Sequence, residues 1–163
     1  MAKVIGTDID MLDSIEQLNL AGYPQPSSNG RSAIVDALNR VLEADNADSF
    51  DDTYNQFLHA IGNNHAGTYY PVALAVIPVL GDILQIGSAH AQSWVLNVLI
   101  DLCGPFVPEF EHRYFRDEPL QRLLIRSVAK LLPVIQPLTA SDCTVAEDAR
   151  ELVGLINRRL AEL

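Results

Sequence analysis

The stretch Tyr69–Gly87, YYPVALAVIPVLGDILQIG, decides the fold. Its apolar residues Val72, Leu74, Ala75, Ile77, Val79, Leu80, Ile83, Leu84 and Ile86 fall nearly all round a helix rather than along one stripe. A helix of that kind is buried on more than one side. Pro71 falls in its first turn, where a missing N–H costs nothing, and Thr68 is its expected cap. Pro78 lies inside it and is expected to bend or break it, and Gly87 ends it. The run is too short and too interrupted, by Pro78, Gly81 and Asp82, to span a bilayer. It needs amphipathic partners, and the rest of the chain supplies them.

Downstream, a helix from about His90 to Leu102 carries the stripe Trp94, Val95, Val98, Leu99 and Leu102, closed by Gly104, Pro105 and Pro108. Pro119 opens another, carrying Leu120, Leu124, Val128 and Leu132, with Pro133 near its end and Pro137 stopping it. Ser141 or Thr144 caps a final helix from about Val145 to Leu160. Upstream, helices are expected over about Asp8–Ala21, Arg31–Ala44 and Phe50–Ile61, separated by the turn-rich YPQPSSNG at 23–30 and the break at Gly62, Asn63 and Asn64. No run alternates with period two. The expectation is an all-α fold of about seven helices in one domain, 1–163.

The chain has 163 residues and a formal net charge of −10. Such a charge repels nucleic-acid phosphates and anionic lipid, and attracts basic proteins. Its distribution is uneven. No lysine or arginine lies between Arg40 and Arg113, while that stretch carries Glu43, Asp45, Asp48, Asp51, Asp52, Asp82, Asp101, Glu109 and Glu111. Helix caps account for Asp51 and Asp52 but not for the absence of every base. The functional alternative is an acidic docking face. Cys103 and Cys143 have no CxxC spacing and read as reduced structural residues. Residues 1–17 have no basic segment followed by an apolar run, so no signal peptide is read there and a cytoplasmic protein is expected.

The segment His65-Ala66-Gly67-Thr68-Tyr69-Tyr70-Pro71-Val72-Ala73, continued by Ile77-Pro78-Val79-Leu80, resembles HEAT-type helical repeats. Bacterial proteins of that type read His-Gln-Gly-Thr, then Tyr-x-Ala, then an apolar run with Pro-Phe-Leu. Ser93–Leu102 matches the second helix of such a repeat. Ala66 replaces the glutamine and Val79 the aromatic residue. The resemblance implies a HEAT-like α-α superhelix of antiparallel pairs, over 65–104 and, by pattern only, 113–163, with residues 1–64 forming N-terminal helices outside it. It also implies a grooved surface for a protein partner. Small proteins of this look are frequent as immunity proteins that bind secreted bacterial toxins in the cytoplasm. A HEAT-like adaptor for an endogenous partner is the alternative.

The expected partner-binding residues are Asp45, Asp48, Asp51, Asp52 and Tyr54, with Tyr69, Glu109 and Glu111. Of the adjacent Tyr69 and Tyr70, only one can face inward, and the other is an interface anchor. DNADSFDDTYNQ at 45–56 is not a calcium loop, because Phe50 stands where the sixth-position glycine belongs and Gln56 where the glutamate belongs. The histidines lack metal-ligand spacing, and no nucleophile motif or phosphate loop is present. No cofactor and no enzymatic activity are expected, and the one cluster that an enzyme reading would use is Glu109, Glu111 and His112.

Overall fold

The structure is a computed structural model that describes residues 13–27, 30–43, 50–141 and 144–163. It is all-α, with only a few two-residue strands. Residues 13–16 are helical. Seven α-helices follow: α1 (Arg31–Glu43), α2 (Phe50–Ile61), α3 (Val72–Ile86), α4 (Ala89–Cys103), α5 (Leu120–Ala129), α6 (Leu132–Leu138) and α7 (Thr144–Ala161). Strands β1 (Gly62–Asn63), β2 (Thr68–Tyr69) and β3 (Val107–Pro108) form one small sheet, in which β1 pairs antiparallel and β3 parallel to β2. Strands β4 (Tyr114–Phe115) and β5 (Glu118–Pro119) form a hairpin, preceded by a 3-10 turn at Phe110–His112.

Helix α3 is the apolar rod its sequence requires. Val72, Ala73, Val76, Ile77, Leu80, Ile83 and Leu84 are all buried within the chain. Pro78 does not break it: the residue is exposed within the helix, which runs on to Ile86. Thr68 is not its cap, since it belongs to β2, and Pro71 occupies the capping position instead. The turn to α4 is tight. The N–H of Gly87 donates to the carbonyl of Ile83 at 2.7 Å, and the hydroxyl of Ser88 accepts from the N–H of Ala91 at 3.2 Å.

Helix α4 is the hub. It packs most extensively on α7 and also touches α1, α2, α3 and α5. Trp94 is fully buried at its centre, edge-on to Phe57 of α2 at 5.1 Å. The flank beside it carries a polar line. The hydroxyl of Ser93 and the amide of Asn97 both donate to Oδ2 of Asp148 on α7, at 2.6 and 3.0 Å. At the end of α4, Arg159 of α7 donates to the carbonyls of Cys103 at 3.0 Å and Gly104 at 2.9 Å. A cation there complements the negative helix terminus.

Two expected boundaries move. The helical residues near the start end by Glu16, not Ala21, and Arg31 closes them by donating to the carbonyls of Glu16 and of Leu18, the latter at 3.1 Å. The helix expected to run from Pro119 past Leu132 is two helices, because the chain turns at Lys130–Leu131 and Pro133 starts α6 rather than ending α5.

Candidate functional site

The sheet and the hairpin hold a loop against the end of the helical body. The loop begins where Arg159 caps α4. The N–H of Val107 donates to the carbonyl of Gly67 at 3.0 Å, and the N–H of Glu109 to that of Tyr69 at 2.8 Å. The hydroxyl of Thr68 donates to Oε2 of Glu109 at 2.6 Å. Gly62 makes the sheet possible: a Cβ there would stand 2.0 Å from the carbonyl oxygen of Thr68.

Beyond Glu109 the loop turns outward. Phe110 is 71 % exposed, Tyr114 70 % and Val107 49 %. They border an open cleft of about 520 Å³, whose other lining includes Thr68, Glu109, Arg113 and Gln121. The guanidinium of Arg113 lies over the Phe110 ring, 4.2 Å from its centre. The hairpin turn at Arg116–Asp117 has φ of 51° and 65°, both left-handed and neither at glycine. That is the backbone of a type I′ turn. Arg116 steadies it, its guanidinium 5.1 Å from the centre of the Tyr23 ring and 4.8 Å from that of Phe115, while those two rings stack at 5.4 Å.

The expected site residues do not come together. Asp45 and Asp48 lie outside the described residues. Asp51 and Asp52 are exposed in the first turn of α2, near the positive end of its dipole. Glu109 and Glu111 lie beyond the opposite end of α2, where β1 leads into the sheet, roughly 15 Å away along the helix axis at 1.5 Å per residue.

Tyr54 is half-buried and is no free anchor. Its hydroxyl donates to Asp101 and, at 3.2 Å, to the carbonyl of Asn97, so it struts α2 against α4. Burial and the Asp101 carboxylate both push its pKa up. Tyr69 is fully buried and cannot anchor a partner, because β2 turns it inward and leaves the outward place to the half-buried Tyr70. Burial likewise raises the Tyr69 hydroxyl, and it pushes the neighbouring Cys103 thiol up to about 12 against the opposing pull of Arg159.

Of the seven described acids between Arg40 and Arg113, the fold itself uses two: Asp101 holds Tyr54 and Glu109 holds Thr68. Glu43, Asp51, Asp52, Asp82 and Glu111 are exposed, and among the described residues none of these five forms an ion pair. The Glu109, Glu111 and His112 side chains are not joined by hydrogen bonds, and the His112 ring packs on Tyr70 with centres 4.9 Å apart. A second, more polar cleft, of about 380 Å³, lies between α1 and α2 and is lined by Asp36, Asn39, Arg40, Glu43 and Gln56.

The exposed pair Phe110 and Tyr114 was not singled out by the sequence. The available signal was an aromatic-rich segment, Phe110 to Phe115, closed by prolines and outside any helical period. Among the described residues no group of acids, histidines and cysteines is arranged to hold a metal ion, and no helix is long and apolar enough to cross a membrane. No known protein family, curated protein or solved structure matches the chain.

Proposed function

We propose that this protein works by binding another protein, and that its docking surface is the loop 107–114. The observation that carries this reading is the exposure of Phe110 and Tyr114, 71 % and 70 %, in the lining of a cleft that also holds Arg113. Large aromatic side chains and arginine are the residues that dominate binding energy at interfaces, and a chain gains nothing in its own stability by leaving them in water. The backbone beneath them is fixed by the sheet and by the stacked hairpin, so little ordering is needed on binding.

The partner in this reading is a basic protein. A net charge of −10 and the five exposed acids on the segment free of lysine and arginine, which form no ion pair among the described residues, draw it in. Asp51 and Asp52 steer the encounter from a distance rather than touch the anchors, and Asp45 and Asp48 add to the same negative charge in the sequence. The finer reading is a cytoplasmic immunity protein that neutralises a secreted bacterial toxin, on a HEAT-like scaffold of paired helices; it rests on the resemblance of residues 65–102. The adaptor alternative shares the same surface.

The test is co-expression with the product of the adjacent open reading frame, with growth and complex formation as readouts. Growth arrest by the neighbour alone, rescued by this chain through a salt-sensitive complex, supports the immunity reading. A neighbour that neither arrests growth nor binds removes it.

A further inference from the structure

The cleft has a chemistry of its own. Glu109 is held at two points, its N–H on the carbonyl of Tyr69 at 2.8 Å and its Oε2 on the hydroxyl of Thr68 at 2.6 Å. A carboxylate offers about four acceptor positions. Thr68 takes one, which leaves a positioned anion with acceptor capacity in the cleft wall. Tyr114 lines the same cleft, 70 % exposed, and among the described residues no ring or cation lies over it. The neighbouring ring, Phe110, already carries the guanidinium of Arg113 at 4.2 Å. Rings of this cleft therefore accept a guanidinium face, and Tyr114 is the one still open. An aromatic face beside a carboxylate is the pairing that a planar guanidinium satisfies best, by stacking on one and hydrogen-bonding the other.

We infer that the cleft lined by Glu109 and Tyr114 is a receptor for an arginine side chain of the protein partner. The inference rests on the protein-binding reading of this surface and names the group the surface recognises. Charge complementarity at long range points the same way, since a chain of net charge −10 draws basic segments toward it. Arg113 lines the same cleft and opposes a second cation there. That opposition separates the inference from its converse, an anion receptor built on Arg113: loss of the Arg113 charge strengthens a cation site and destroys an anion site.

The experiment is an amide NMR titration of the full chain with the peptide acetyl-Gly-Arg-Gly-amide, its citrulline counterpart, and acetyl-Gly-Glu-Gly-amide. The expected result is a saturable shift of the amides of Thr68, Glu109 and Tyr114 with the arginine peptide, at least fivefold tighter than with citrulline. Binding weakens at least fivefold in Glu109→Gln and tightens in Arg113→Gln. Equal binding of arginine and citrulline, shifts centred on Asp51 and Asp52, or preference for the glutamate peptide each overturn the inference. A chain that forms a complex with a protein partner but does not bind the arginine peptide defeats the arginine receptor alone, whereas a chain that forms no protein complex defeats the reading beneath it.

Discussion

The hydroxyl of Thr68 donates to Oε2 of Glu109 across 2.6 Å, between residues 41 positions apart in the chain. With the parallel pairing of β2 and β3, this bond fixes the take-off of the exposed loop from the helical body. Thr68→Val keeps the shape and removes the donor. Both groups are partly exposed, so the expected loss is about 1 kcal/mol in denaturant unfolding. A larger effect is expected locally: the amide of Glu109 exchanges faster, while the amides of α4 keep their protection.

Two glycines respond to alanine with opposite signs. In Gly62→Ala the new methyl meets the carbonyl oxygen of Thr68 at 2.0 Å, a backbone atom that moves only if β1 and β2 part. Destabilisation of roughly 2 kcal/mol or more follows, within the range for strained backbone sites. Gly154 is exposed inside α7 and has nothing within 4 Å of its Cβ position. Gly154→Ala is expected to stabilise the chain by about 0.8 kcal/mol, from helix propensity alone. Melting curves of the two variants check both signs.

The buried acids predict an alkaline limit to stability. Burial raises the Cys103 thiol from an ordinary 9.0 to about 12, and raises the hydroxyls of Tyr54 and Tyr69 above their ordinary 10.0. The unfolded chain releases these protons at lower pH than the folded one. The stability they contribute is therefore complete below pH 9 and is lost as pH climbs through the window from 9 toward 12. The melting temperature should fall across that window. Tyrosinate absorbance from Tyr54 and Tyr69 should appear only as the fold opens, and Cys103 should resist thiol reagents in the native state.

Periodicity made the helical body legible. The stripes of α1, α2 and α4 gave their boundaries to within a residue or two, and the all-round apolarity of α3 gave its burial on several sides. The site was harder to read, for physical reasons. Two-residue strands such as Thr68–Tyr69 have no period to detect, and their pairing with Val107–Pro108 is a matter of tertiary packing. Adjacent tyrosines cannot reveal which faces inward until the strand is placed, and the structure turns Tyr69 in. The left-handed turn at Arg116–Asp117 carries no glycine or asparagine to announce it. Pro133 follows an apolar run, a place that suits the end of one helix, yet proline is equally suited to a first turn, where it stands in α6. The acidic residues were visible individually, but only the fold separates Asp51 and Asp52 from Glu109 and shows that Glu109 and Asp101 are partly spent on Thr68 and Tyr54.

The central claim is that Phe110 and Tyr114 carry the binding of a protein partner. The measurement that tests it most directly is the affinity of the double variant Phe110→Ala and Tyr114→Ala, compared with the unaltered chain, for the product of the adjacent open reading frame. Both side chains are more than two-thirds exposed, so stability should stay within roughly 1 kcal/mol while the Kd rises at least tenfold. An unchanged Kd in a folded double variant would contradict the account and move the docking surface elsewhere on the molecule.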